Sequence, residues 1–125
     1  MFELDGIDHV ALSVKDIERA AQWYVDVLGL ERRHEGMWDG VPAFVGKGTT
    51  ALALFPIEET RNAAPAGPRM LHLAFRAARA EFLKAQKGLE RRGIPFEFQD
   101  HEISQSIYFR DPDGHQLEIT TWDVG

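Results

Sequence analysis

The chain has 125 residues, of which 44% are apolar and 27% charged, an ordinary balance that suits one packed domain and argues against wholesale disorder. Its net charge of −6 repels phosphate backbones, so nucleic acid is not expected as a partner. The absence of cysteine removes disulfides, thiolate metal ligands and cysteine nucleophiles together.

The N-terminus, MFELDGIDHV, carries acids where a signal peptide needs a basic region and an apolar run. No stretch reaches the ~20 apolar residues of a membrane span. A cytoplasmic location without membrane contact is therefore expected. Ile7 to Val14 reads as a strand, with Val10, Leu12 and Val14 alternating on one face. Asp16 suits an N-cap, IERAAQWYVDVL a helix and Gly29 its C′ position. Strands follow near Leu30 to Glu35, Val41 to Val45 and Thr50 to Phe55. Residues 57–69, polar and carrying Pro65 and Pro68, read as a connecting loop.

The second half repeats this order. Met70 to Phe75 reads as a strand and Ala80 to Arg92 as a helix closed by Gly93. Strands are expected near Pro95 to Gln99, Gln105 to Phe109 and His115 to Thr121, the last two joined by a DPDG turn. His72 lies 63 residues after His9, Gly93 lies 64 after Gly29, and Tyr108 lies 64 after Phe44. A duplicated β-α-β-β-β unit explains these offsets, with modules at 1–56 and 70–125. The fold class is α+β.

Sorting the strand faces brings out the chemistry. Side chains alternate across a strand. The apolar sets, such as Leu71, Leu73 and Phe75 or Leu117 and Ile119, are expected to pack on the helices. The opposite faces carry His9, His72, Tyr108 and Glu118. A sheet curved around that second face points two imidazoles and a carboxylate into one concavity. Such a set leaves positions open for substrate and water, as a catalytic metal site needs. Each residue also has a plainer reading: a satisfied half-buried histidine for His9 or His72, a solvated strand residue for Glu118.

Four stretches, IDHVALSVKDIERAAQWYVDVLGL, MLHLAF, QSIYF and DPDGHQLEIT, resemble the glyoxalase, bleomycin-resistance and extradiol-dioxygenase superfamily, also called vicinal oxygen chelate. The resemblance covers nearly the whole chain. It implies paired modules forming an eight-stranded, cup-shaped mixed sheet with helices outside. It further implies metal ligands at His9, His72 and Glu118, and a homodimer in which the ligands come from one chain or from two. Some glyoxalases have a fourth ligand on the last strand of the first module. The matching positions here are Ala51 and Ala53, which cannot bind metal. A three-ligand site is more similar to the extradiol dioxygenases and the fosfomycin-modifying thiol transferases. Tyr108 stands ten residues before Glu118, as the site tyrosine does in both groups.

The remaining candidates are less specific. His101 is either a loop histidine or an acid or base just outside the metal's own ligands. His115 should face away from the metal, and His34 should meet solvent. Trp38, in the segment HEGMWDG, either closes over a substrate or forms an exposed loop tip. Ser104 and Ser106 match polar cup positions of the transferase group. Phe44 and Ala53 are expected to line the cup. Basic residues that the fosfomycin enzymes use for a phosphonate are missing near Phe98.

The expectation is a metal-dependent enzyme that binds a small molecule through vicinal oxygens. An extradiol-dioxygenase-like reaction with iron(II) (Fe2+) is favoured, while Mn2+, Zn2+ or Ni2+ also suit the ligands. The alternatives are a thiol transferase or a lyase or isomerase of the same superfamily. A further alternative is a metal-free protein that sequesters an aromatic ligand.

Overall fold

The computed structural model describes residues 1–60 and 68–124, without the side chains of residues 59 and 60. They fall into two compact units, residues 1–66 and 67–125. The boundary lies inside the connecting segment expected at 57–69.

In the first unit, β1 (Val10–Val14) leads to α1 (Ile17–Leu28), followed by β2 (Glu31–Arg33), β3 (Ala43–Lys47) and β4 (Thr50–Pro56). The sheet order is β1-β4-β3-β2, with β1 and β4 parallel and the other pairs antiparallel. The second unit repeats this with β5 (Leu73–Arg76), α3 (Arg79–Arg91), β6 (Glu97–Asp100), β7 (Gln105–Arg110) and β8 (Gln116–Thr121), in the order β5-β8-β7-β6. The duplication read from the offsets is thus a duplication of topology, and the eight strands fall in two four-stranded sheets. One turn of helix, α2 (Ile57–Thr60), stands at the start of the segment expected to be loop throughout, and residues 61–67 lie outside the described residues.

Local chemistry accounts for the boundaries. The Asp16 carboxylate accepts the Arg19 amide at 3.1 Å, capping α1 as expected. Gly29 ends the helix in the left-handed conformation at φ 70°, where a side chain would be strained. One face of each sheet is the core. Leu52, Leu54 and Val45 are buried in the first unit, where α1 packs on β3 and β4. Ile107, Leu117 and Ile119 are buried in the second, where α3 packs on β8 and contributes buried Phe82 and Leu89. Each such aliphatic side chain contributes roughly 1.5–3 kcal/mol by leaving water.

The strand starts are corrected by the structure. β1 begins at Val10 rather than Ile7, and β5 at Leu73 rather than Met70, so both His9 and His72 stand just before their strands. Alternation of side chains continues into neither segment as ladder pairing, and Phe2, Leu4, Ile7, Met70 and Leu71 are exposed. Periodicity cannot separate a paired strand from an extended lead-in of the same composition.

Gly46 is fixed by close backbone approach. It pairs with Ala51, and a Cβ placed on it would collide with the Thr50 carbonyl oxygen. Gly46→Ala is expected to destabilise the protein by about 1–3 kcal/mol through backbone displacement. Urea unfolding checks this; a cost below about 0.5 kcal/mol would contradict the packing described.

Candidate metal centre

Register places the site residues of the second unit. Glu118 lies between Ala74 on β5 and Tyr108 on β7, so all three share one face of the sheet, opposite Leu117 and Ile119. Ser106 is two residues from Tyr108 and therefore joins that face, paired with Thr120. The Glu118 residue is only 8% exposed, and both its oxygens have partners. Oε1 lies 3.0 Å from His72 Nε2, and Oε2 accepts the Ser106 hydroxyl at 2.7 Å. Ser106 Oγ is also 3.0 Å from Thr120 Oγ1, which ties the carboxylate to the strand pair beneath it.

Tyr108 stands beside this pair, its ring edge-on to His72 with centroids 6.1 Å apart. Burial, followed by the negative charge of Glu118, pushes the phenol above its ordinary pKa. The group is consequently a neutral donor at physiological pH. His101, an exposed loop residue, has its Nε2 3.2 Å from the Tyr108 oxygen. The loop that carries His101 is closed by a bond from its amide to the Ser104 carbonyl at 2.8 Å. Ser104 itself is buried just ahead of β7, and its carbonyl closes that loop.

The first unit presents a different surface. By register, Ala53 is the counterpart of Glu118 and Phe44 of Tyr108: Ala11, Ala53 and Phe44 lie side by side as Ala74, Glu118 and Tyr108 do. The duplicated face is therefore polar in one module and apolar in the other. His9 packs edge-on to Phe44 with centroids 5.4 Å apart, and Trp38 and His34 pack on Phe44 at 5.5 Å and 5.2 Å. His34 is exposed, as expected, and its ring also belongs to an aromatic cluster. Both His34 and Trp38 have left-handed backbone, φ 55° and 53°, a conformation with no side-chain signature in the sequence.

The donor chemistry of these histidines and of Glu118 fits a divalent cation. Two ligands at roughly 2.0–2.2 Å and about 90° apart stand about 3.0 Å from each other. The observed His72–Glu118 separation of 3.0 Å has that length. His9 Nδ1 is 2.8 Å from Asp8 Oδ2, a carboxylate partner of the kind that metal-binding histidines carry. Among the described residues no three His, Cys, Asp or Glu side chains form a complete cluster. The second unit brings together two candidate ligands, and His9 belongs to the first.

Comparison with known proteins agrees with this class of duplicated β-α-β-β-β protein. The family model described as the Glyoxalase/Bleomycin resistance protein/Dioxygenase superfamily matches residues 6–119, and the chain belongs to that superfamily. It is similar to glutathione transferase FosA of Serratia marcescens, 28% identical over 93% of this chain and 80% of that protein. Metallothiol transferase FosB of Staphylococcus epidermidis is 31% identical over 94% of this chain and 84% of its own length. Among solved structures, a glyoxalase/dioxygenase from Nostoc punctiforme superposes with a TM-score of 0.76 at 26% identity, covering 94% of this chain and 90% of that one. No helix among the described residues is long and apolar enough to cross a membrane.

Proposed function

We propose that the protein is a divalent-metal-dependent enzyme in which His9, His72 and Glu118 hold one cation and Tyr108 hydrogen-bonds an oxygen of a small substrate. The observation that carries this reading is the buried Glu118 carboxylate, shared between His72 and Ser106 with Tyr108 alongside. The bound cation supplies Lewis-acid binding of two neighbouring substrate oxygens. Tyr108 donates its proton to a hydrogen bond on a substrate oxygen as negative charge builds there. His101 takes up or returns a proton at the Tyr108 oxygen. Ser106 holds the Glu118 carboxylate in orientation. Phe44 and Trp38 offer an apolar wall to the rest of the substrate, and Ala53 is fully buried beside Phe44.

Two reactions suit this site. Thiol transfer is favoured by the two relatives named as glutathione and metallothiol transferases, both matched over at least four-fifths of their length. Extradiol-dioxygenase-like chemistry with Fe2+ is favoured by the His101–Tyr108 bond, while the alanine at position 53 suits either reaction. An oxygen electrode with a catechol panel after anaerobic Fe2+ reconstitution, run beside an Mn2+ screen with an epoxide and low-molecular-weight thiols, separates them. Silence in both, with tight binding of an aromatic compound to metal-free protein, would replace the enzyme reading by a sequestering one.

Tyr108→Phe is expected to lower turnover by about 10²-fold in whichever reaction is found, with metal content unchanged. Unchanged turnover would remove Tyr108 from the chemistry.

The proposal extends to a two-fold homodimer, supported by exposed Phe2, Leu4 and Ile7 on the lead-in to His9 and by exposed Met70 and Leu71 on the lead-in to His72. Sedimentation velocity at micromolar concentration checks it; a monomer alone would contradict it.

A further inference from the structure

We propose that a cationic cavity beside His72 receives an oxyanion of the substrate, with Arg110 as its anchor; this deepens the metal-enzyme reading by naming a substrate class. The Arg110–Gln116 pair lies two residues along from Tyr108–Glu118 in the β7–β8 ladder and so occupies the same face of the sheet. The guanidinium is held in place by the turn it spans, Nη1 donating to the Gly114 carbonyl at 2.7 Å. That bond uses one of five N–H donors, and the rest of the planar fork suits a carboxylate or a phosphate-like group.

A cavity of about 460 Å³ opens there, walled by Arg69, Leu71, His72, Arg110, His115 and Gln116, together with the Gly114 backbone. No carboxylate is among its described lining residues, although the protein carries a net charge of −6. The adjacent Asp111 is buried, and its Oδ1 accepts the Asp113 and His115 amides, both at 2.9 Å, so its charge is turned into the DPDG turn. Arg110 and Gln116 also border a second cavity of about 430 Å³, which contains Glu97 beside Tyr108. Repulsion by Glu97 disfavours an anion on that side. His115, expected to face away from the metal, lines the cavity together with His72.

His72 is at once a proposed metal ligand and a wall of this cavity. A substrate whose oxyanion rests on Arg110 is thereby held with its other oxygens toward His72. The chemistry points to small molecules that combine a carboxylate or a phosphate-like group with a vicinal-oxygen unit.

The test is titration of chelator-treated protein with sodium acetate and with inorganic phosphate, at ionic strength held constant with chloride. Arginine side-chain and backbone amide NMR shifts report binding, and chelation keeps the result independent of the metal proposal. Saturable shifts at Arg110 and His115 with millimolar Kd are expected. Arg110→Gln should weaken binding at least 10-fold, and Arg110→Lys, which keeps the charge but loses the planar fork, should weaken it less than Arg110→Gln. Tighter phosphate than acetate would assign a phosphate-like substrate group, the reverse order a carboxylate, and either supports the site. Shifts no different from those of chloride, or equal affinity in all three proteins, would overturn it.

Discussion

Glu118→Ala should reduce divalent-metal affinity by more than about 100-fold, since even the partners that merely orient a ligand change affinity by about 10–100-fold. The carboxylate is the buried member of the proposed ligand set and touches both His72 and Ser106. Removing it leaves His72 Nε2 and the Ser106 hydroxyl without that acceptor. Glu118→Gln separates the two consequences. The amide oxygen still accepts from Ser106, so the fold is retained, but the neutral group lacks the charge that holds a divalent ion. Competition titration against a chromogenic chelator, with Zn2+ as the probe, measures the loss. If both variants bind Zn2+ as tightly as the parent, Glu118 is not a ligand.

Phe82→Ala is expected to cost about 3–5 kcal/mol, a large part of the ~5–15 kcal/mol that holds a domain folded. Phe82 is fully buried on the inner side of α3, with its ring 6.4 Å from that of Phe98. Truncation opens a void behind the face of β8 opposite Glu118, so the same change loosens the support of the candidate site. Its neighbour Leu83 points the other way and is 46% exposed, and Leu83→Ala should stay within about 1 kcal/mol. Denaturant midpoints for the pair give the comparison. A Phe82→Ala cost near that of Leu83→Ala would contradict the assignment of this helix face to the core.

Much of this architecture is legible in the residues because each signal has one local cause. Asp16 and Gly29 bracket α1 at the bounds observed, since a cap side chain and a left-handed glycine each act within one turn. The offsets between His9 and His72 and between Phe44 and Tyr108 disclose the duplication, and strand alternation places Tyr108, Ser106 and Glu118 on one face. What escapes is whatever depends on contacts distant in sequence or on unusual backbone. The clustering of His34 and Trp38 on Phe44 rests on left-handed residues that are not glycine. The His101–Tyr108 bond depends on a loop that turns back through Glu102, also left-handed at φ 70°. His115 precedes the first residue of β8, so strand alternation does not govern its direction, and it meets His72 across a cavity instead.

Anomalous diffraction from a crystal of metal-loaded protein tests whether one cation is bound by His9, His72 and Glu118. Data collected on both sides of the absorption edge of the loaded ion locate it without reference to activity. One strong peak per chain is expected at roughly 2.0–2.2 Å from His72 Nε2, a Glu118 oxygen and His9 Nε2, the last from the same chain or from a second copy. A peak coordinated by other residues, or no ordered ion at saturating metal, would contradict it.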